Sequence, residues 1–227
     1  TQFWGTLAVS RVSGDGAEAD HFIGMIDNIS RRKARETDLE ARALYDPLTG
    51  LPNRALLADR LDQAIADARR HRTGFSVIVM DLDGFKDVND SLGHQAGDEV
   101  LIEVAARLKE VTRAADTVAR LGGDEFVVVL PEAGSHAHAE TSARKLLAVF
   151  ETPVQLAGGG PAPIGCSLGC ALFNRHGSDA QALLVQADSA MYRAKRAGSG
   201  FAFPESELEV ARLPGRQEEM IKRREEE

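Results

Sequence analysis

Apolar positions along the chain alternate between helical and strand-like spacing, which predicts helices and strands in turn. The first helix of this series has apolar residues at Leu57, Leu61, Ile65 and Ala68, and a continuous apolar strand over 75–80 follows it. The same spacings predict helices around 100–111, 146–150 and 179–196 and strands over 118–120, 126–130, 164–172 and 200–203. Strands that alternate with helices around one central hairpin predict an α+β fold, a mostly antiparallel sheet covered by helices.

The first 28 residues have the pattern of a β-hairpin. Strand-like alternation over 3–10 and 21–26 is interrupted by the polar sequence of residues 13–16, Ser-Gly-Asp-Gly. Residues 28–33, Asn-Ile-Ser-Arg-Arg-Lys, resemble the signature that closes PAS sensory domains, although Asn28 stands where that family usually has Asp. We therefore assign residues 1–28 to the C-terminal hairpin of a PAS-like domain. A hairpin alone cannot form a sensory ligand pocket.

Two charge-rich segments flank the main α+β pattern of residues 46–204. Residues 29–45 have dense charge and few apolar positions, which predicts a connecting signalling helix. This helix either pairs with a second copy as a coiled coil or is a solvated single helix. Residues 205–227 form a charged tail, which is either a solvated helix or a linker to a further domain.

Composition and charge argue against two kinds of partner, a lipid bilayer and a nucleic acid polymer. The 227 residues are 43% apolar, but the apolar runs are far shorter than a bilayer requires, so we expect no membrane segment in this chain. The formal charge of −8 argues against a nucleic acid polymer as partner, because such binding usually needs a basic face.

Cys166 and Cys170 lie four apart on one predicted strand, so both point to one face as buried free thiols. A reducing cytoplasm is the expected location, and membrane association of a longer protein stays open.

Carboxylates lie at the ends of two predicted strands. Asp81 directly follows the strand 75–80, and Asp124 and Glu125 lie at the tip of the central hairpin, after the paired glycines 122–123. Glycines permit a tight turn and a close approach of the backbone to a ligand. Carboxylates at such positions provide hard oxygen ligands for Mg²⁺ or a base for a hydroxyl proton. If the two strands are neighbours, Asp81 and Asp124 meet; an ordinary polar turn is the alternative interpretation of the hairpin tip.

The segment after Asp81 carries groups suited to a nucleotide. Its turn can present backbone N–H groups to phosphate, and Lys86 adds a positive charge. Asn89 and Asp98 provide an amide and a carboxylate, which together match the hydrogen-bonding edge of guanine. Each has a simpler interpretation, because Asp98 could cap a helix that starts near residue 99 and Asp83 could be a solvated turn residue.

Taken together, residues 46–203 resemble the GGDEF-type diguanylate cyclases. The matching segments, in the order of the family, are 46–54, 81–98, 120–126, 167–169 and 188–195. The resemblance implies a nucleotidyl-cyclase, palm-like fold for a domain over 46–204. It also implies an enzyme, a nucleotidyltransferase that condenses two GTP into cyclic di-GMP and releases two pyrophosphates, with Mg²⁺ or Mn²⁺ as cofactor.

The resemblance implies a function for individual residues. Those implied for catalysis are Asp124, Glu125 and Asp81. Those implied as metal ligands are Asp81, Leu82 through its carbonyl, Asp124 and Glu125. Those implied for the substrate are Asn89 and Asp98 at guanine and Phe85, Lys86 and Lys195 at the phosphates.

The family also implies a partner and a form of control. One GTP per subunit requires two facing subunits, hence a homodimer, whose connecting helix sets whether the catalytic faces meet. Arg113 and Asp116 match the product-binding inhibitory motif of the family, although a helix-terminal arginine beside a loop aspartate is also common without a ligand. The chain departs from the family at residues 198–200, Gly-Ser-Gly, where an arginine is frequent. The alternative function is a catalytically silent module that binds GTP or cyclic di-GMP and regulates an adjoining domain.

Overall fold

The computed structural model of the chain describes residues 4–12, 21–31, 43–158 and 160–205. The chain divides into two compact units, Thr1–Tyr45 and Asp46–Glu227, each of which is described by itself. Most of the predicted connecting helix and nearly all of the predicted charged tail lie outside the described residues. Within the described ranges, every helix is too short or too polar to cross a bilayer.

The first unit contains the predicted hairpin. Strands β1 (Gly5–Val12) and β2 (His21–Asn28) pair antiparallel, with the first residue of β1 opposite the last residue of β2. At the end of β2 the Asn28 side chain accepts a hydrogen bond from the Ser30 N–H at 3.0 Å. The Asn28 side chain thus joins the end of β2 to the residues that follow it. Several apolar side chains of the hairpin are largely exposed, namely Trp4, Leu7, Val9, Met25 and Ile26.

The second unit is built on a five-stranded sheet with the order β4-β5-β3-β8-β9. Its strands, with a separate short hairpin of β6 and β7, are β3 (Ser76–Asp83), β4 (Thr117–Gly122), β5 (Glu125–Leu130), β6 (Val154–Leu156), β7 (Gly160–Ala162), β8 (Gly165–Leu172) and β9 (Phe201–Ala202). Its helices are α1 (Arg54–His71), α2 (Phe85–Leu92), α3 (His94–Val111), α4 (His136–Ala148) and α5 (Ala180–Ala197). All neighbouring strands of the main sheet are antiparallel except β8 and β9. The predicted α+β fold with a mostly antiparallel, helix-covered sheet is confirmed.

Helices cover both faces of this sheet, because successive residues of β3 pack alternately into two cores. Val77 and Val79 pack in one core with α1 and α5, whereas Ile78 and Met80 pack in the other core with α3 and α4. Since successive side chains of a strand point to opposite faces, Asp81 continues the series that faces α5. The end of β3 therefore presents its first carboxylate towards the C-terminal turns of that helix.

Helix α5 lies unusually close to the sheet at Gly169, in the middle of β8. A Cβ built at this position would lie 1.8 Å from the Ala187 carbonyl oxygen and 2.3 Å from the Met191 nitrogen. No side chain fits in that space, so glycine lets the helix backbone rest directly on the strand. This contact fixes how near the end of α5 comes to the end of β3.

Candidate active site

The carboxylates predicted to meet lie on β3 and in the turn that precedes its neighbour β5. Strands β3 and β5 pair antiparallel, with Asp81 directly opposite Glu125, so Asp124 at the hairpin tip lies beside Asp81. The pKa of Asp124 is raised above its ordinary value because burial disfavours the charged form, and the negative charge of Asp81 adds to this effect. The site thus concentrates negative charge where the sequence predicted it.

The hairpin tip depends on its two glycines. Gly122 has a φ of 141° and Gly123 a φ of 53°, and residues other than glycine rarely adopt such positive φ values. Gly122 pairs with Glu125, and the strand pairing shifts register between Arg120 and Gly122. The turn therefore consists of Gly123 and Asp124, and it places Asp124 at the extreme end of the sheet.

Arg120 holds this turn to the start of the domain. Its guanidinium donates from Nε and Nη2 to the Gly123 carbonyl oxygen at 3.0 and 2.8 Å. Its Nη1 donates to both carboxylate oxygens of Asp46, at 3.0 and 3.1 Å. Asp46 in turn accepts hydrogen bonds from the N–H and the hydroxyl of Thr49, at 2.8 and 2.6 Å. We call Asp46, Arg120 and the Gly123 carbonyl the hairpin clamp.

Sequence reasoning missed the hairpin clamp. Residues 46–54 and 120–126 were each recognised as matching segments, but nothing in the pattern joins two residues that lie 74 positions apart. Burial raises the pKa of Asp46, but hydrogen bonds from Thr49 and the charge and hydrogen bond of Arg120 outweigh this, so its pKa lies below the ordinary value. Asp46 is therefore a carboxylate whose charged form the fold stabilises.

Lys195, predicted to bind phosphate, lies among carboxylates. It is near the end of α5, where its ammonium donates to Asp81 Oδ1 and lies 3.6 Å from Asp83 Oδ1. The hydrogen bond to Asp81 and the charges of both aspartates raise the pKa of Lys195 above its usual value, although burial opposes this. Asp83 thereby joins the site, and the sequence-based alternative of a solvated turn residue is wrong for it.

Asn89 and Asp98, the pair predicted for guanine, belong to consecutive helices. Helix α3 begins at His94 after the cap residue Gly93, so Asp98 lies inside the helix and the capping alternative is wrong. A Cβ at Gly97 would lie 2.2 Å from Asn89 Oδ1, so only glycine lets Asn89 rest against α3 here. Gly97 therefore brings the amide of Asn89 next to the turn of α3 that carries Asp98.

Phe85 and Lys86 are the first two residues of α2, directly after Gly84, which has a φ of 83°. The Phe85 side chain packs against the hydrophobic core, so the polar group it can offer a ligand is its backbone N–H. Lys86 is exposed. The first turn of a helix directs unpaired N–H groups outwards, an arrangement that suits phosphate.

Arg113 and Asp116 lie in a separate cleft of about 330 Å³ between α3, the end of β5 and α4. The Arg113 backbone N–H donates to Asp116 Oδ2 at 2.8 Å, and its guanidinium donates to Glu132 Oε2 at 2.5 Å. The cleft lies beside Leu130, at the far end of β5 from Glu125. Five residues of strand correspond to roughly 17 Å, so this cleft is distinct from the carboxylate site.

The predicted metal ligands do not form a closed protein cage. Among the described residues, no group of three or more histidine, cysteine, aspartate or glutamate side chains is arranged to hold a metal ion. Two carboxylates and a backbone carbonyl nevertheless suit Mg²⁺, which usually keeps water and substrate phosphate among its ligands. The donor set thus fits a metal that arrives together with a nucleotide.

Similarities to known families and proteins cover most of the chain. A sequence model described as "Diguanylate cyclase, GGDEF domain" matches residues 43–200. The bifunctional diguanylate cyclase/cyclic di-GMP phosphodiesterase MucR of Pseudomonas aeruginosa is 50% identical over 167 residues, which cover 73% of this chain and 24% of MucR. Diguanylate cyclase TpbB of the same species is 41% identical over 185 residues, 80% of this chain and 42% of TpbB. The chain thus spans less than half the length of these relatives.

Solved structures give the same result. The GGDEF domain of TpbB superposes with a TM-score of 0.69 at 43% identity, covering 71% of this chain and 94% of that one. The coiled coil and GGDEF domain of DgcB from Caulobacter crescentus, in complex with c-di-GMP, gives a TM-score of 0.69 at 29% identity, with 77% and 93% of the two chains covered.

Proposed function

Because the chain belongs to the GGDEF family of diguanylate cyclases, we propose that it condenses two GTP molecules into cyclic di-GMP and releases two pyrophosphates. The observation that supports this most strongly is the meeting of Asp81 with the hairpin tip, with Lys195 beside them. A catalytically silent module could lose some of these charged groups, so their joint presence favours the enzyme. Each potential metal ligand named from the sequence is present at this end of the sheet.

Mg²⁺ or Mn²⁺ would be held by Asp81, the Leu82 carbonyl and Asp124, with Glu125 close by. When bound, such an ion activates the 3′-hydroxyl of the substrate and neutralises its triphosphate. The pKa of Asp124 is raised first by burial and then by the negative charge of Asp81, and a divalent cation would counter both by favouring the charged carboxylate. Oxygen donors at the end of a rigid strand favour such an ion.

The remaining residues orient the nucleotide. Asn89 and Asp98 would hydrogen-bond the guanine edge, since the carboxylate accepts from its N1–H and N2–H₂ groups and the amide donates to its acceptor. The N–H groups of Phe85 and Lys86 at the start of α2 would hold phosphate oxygens. The Lys195 ammonium provides a further charge for the triphosphate.

We propose that the reaction takes place in a homodimer. In the second unit the carboxylate site carries one set of guanine-binding candidates, Asn89 and Asp98, so one subunit would present one GTP to the GTP of its partner. The segment 29–45 would control how often the two faces meet. The exposed apolar residues of hairpin β1–β2 are typical of strands from a larger sheet, which supports its assignment to a PAS-like sensory domain.

The cleft at Arg113 and Asp116 would bind the product and inhibit synthesis. Its volume, its exposed arginine and its separation from the carboxylate site all suit a second ligand. The Arg113 guanidinium, now on Glu132, would exchange this exposed partner for phosphate or stack on guanine. The related DgcB structure in complex with c-di-GMP supports a product-binding role in this family.

The test is a synthesis assay over a range of protein concentrations. The chain is incubated with GTP and Mg²⁺, and the nucleotide products are separated by chromatography. Cyclic di-GMP formation that rises more steeply than linearly with protein concentration is the expected result. Asp124→Asn should abolish synthesis, and Asp67→Asn, an exposed carboxylate on α1, is the matched control that should retain it. GTP binding without product by the wild-type chain would instead favour the regulatory module.

A further inference from the structure

Lys195 has two carboxylate partners, and they differ in their surroundings. Asp81, whose Oδ1 accepts from the ammonium, keeps only 18% of its side-chain exposure, whereas Asp83 keeps 38%. A largely covered carboxylate needs a counter-ion more than an exposed one, because solvent screens its charge less. Lys195 therefore lies closer to Asp81 than to Asp83.

Asp83 is held in place by a second contact. Its Oδ2 accepts a hydrogen bond from the Ser167 hydroxyl at 2.9 Å, while its Oδ1 faces Lys195 at 3.6 Å. Ser167 is only 3% exposed and lies on β8 directly opposite Asp81, so the hydroxyl is anchored within the sheet. The two oxygens of Asp83 thus have separate tasks: one fixes the carboxylate and the other attracts the ammonium.

We propose that Asp83 is a positioning residue that retains Lys195 when a divalent cation replaces the lysine ammonium on Asp81. This inference rests on the proposed function, because it takes Asp81 as a metal ligand. The ammonium and a metal ion cannot share one carboxylate oxygen without strong repulsion. Lys195 must then leave Asp81, and Asp83 keeps its ammonium beside the site, where the phosphates of the nucleotide arrive.

The proposal predicts that Lys195 competes with metal in the absence of nucleotide. Binding of Mn²⁺ alone is measured from the free-ion signal in electron paramagnetic resonance. Lys195→Met should bind Mn²⁺ roughly 2- to 5-fold more tightly than the wild type, the range expected from losing a partly exposed ion pair. Lys195→Arg should restore wild-type affinity, and Lys109→Met controls for the change in net charge.

Asp83→Asn should have the opposite effect. Without its second carboxylate, Lys195 is held by Asp81 alone, so Mn²⁺ should bind more weakly and the KM for GTP should rise more than kcat falls. In a background that already carries Lys195→Met, Asp83→Asn should change the Mn²⁺ affinity much less. If Asp83→Asn acted only by removing one negative charge, it would lower the Mn²⁺ affinity equally in both backgrounds. That result would overturn the proposal that Asp83 positions Lys195.

The outcomes separate this inference from the proposed function. If wild-type protein and Asp124→Asn bind Mn²⁺ equally, the metal site itself is misplaced. If Asp124→Asn weakens binding but Lys195→Met fails to tighten it, the metal site stands and the exchange of Lys195 is refuted. Asparagine at position 83 can still accept the Ser167 hydrogen bond, and a thermal unfolding curve for each variant verifies that it is folded.

Discussion

Replacing Arg120 with methionine should both destabilise the domain and displace the hairpin tip that carries Asp124, the proposed catalytic carboxylate. The substitution keeps the length and most of the apolar stem but removes every hydrogen bond of the hairpin clamp. The Arg120 and Asp46 side chains are only 10% and 16% exposed, so without the arginine the Asp46 carboxylate stays largely covered by protein. An unpaired charge in that position loses much of its hydration without gaining a partner.

The magnitude follows from this burial. Breaking a buried ion pair by removing one partner costs about 3 to 5 kcal/mol, and Asp46 keeps its two hydrogen bonds from Thr49 as partial compensation. We therefore expect Arg120→Met to lower the free energy of unfolding by about 3 kcal/mol. Displacement of the Gly123 carbonyl by even an ångström should lower kcat by roughly 10- to 100-fold, since Asp124 follows it directly.

The unfolding free energy is measured by guanidinium titration, with Arg70→Met on α1 as an exposed control. The sign of the pH dependence gives a second check. The pKa of Asp46 in the fold lies below its ordinary value of 3.8, so its contribution to stability is fully present above that value and lost as the pH falls through the lower one. The difference between wild type and Arg120→Met should therefore shrink in acid.

The reasoning would be refuted if Arg120→Met lowered the free energy of unfolding at neutral pH by less than about 1 kcal/mol. A loss that small is typical of an exposed ion pair. A double-mutant cycle with Asp46→Asn that shows no coupling between the two side chains would refute it as well. We expect a coupling energy of about 2 kcal/mol, near the upper end for residues in direct contact.

Further predictions concern tightly packed positions. Gly169→Ala should lower the free energy of unfolding by at least about 3 kcal/mol in the same titration, because its Cβ collides with the α5 backbone; a near-neutral effect would show that α5 can move. Gly97→Ala should displace Asn89 and weaken GTP binding roughly tenfold, as measured by calorimetry. An unchanged affinity for GTP would count against the assignment of Asn89 to guanine. Burial raises the pKa of Cys170 to about 12 and that of Cys166 as well, so a thiol reagent should label both only in denaturant, and rapid labelling of the native protein would contradict their burial.

Periodicity predicted the elements that bury a regular series of side chains. Helix α1 was predicted because it buries residues at helical spacing, and β3 because its buried residues form one continuous apolar run. Helix α2 was not predicted as a separate element, since Val88 is its only buried residue and one position makes no period. Strands β6 and β7, with three residues each, are too short for alternation to be visible. The predicted third helix also ends earlier than expected, with Phe150 beyond the end of α4.

The candidate site was predicted in its residues but only partly in its contacts. Asp81 and Asp124 are neighbours because β3 pairs with β5, whereas the sequence predicted their meeting only on the condition that these strands are adjacent. The hydrogen bond of Ser167 with Asp83 joins residues 84 positions apart, and a single sequence carries no signal for such a pair. Lys195 was assigned to phosphate from the family resemblance alone, so its carboxylate partners became apparent only in the fold.

The charge arrangement of the site depends on residues that carry no charge. Lys195 can reach Asp81 and Asp83 only because α5 lies directly on β8, where Gly169 leaves no side chain between the two backbones. On the helix side of this contact Ala187, Ala190 and Ala194 are fully buried and small. A larger residue at any of these positions would push the helix away from the strand and lengthen the contacts of Lys195 with the two aspartates. A glycine in the core therefore determines a contact between ions at the surface, and substitutions there should alter metal binding as well as stability.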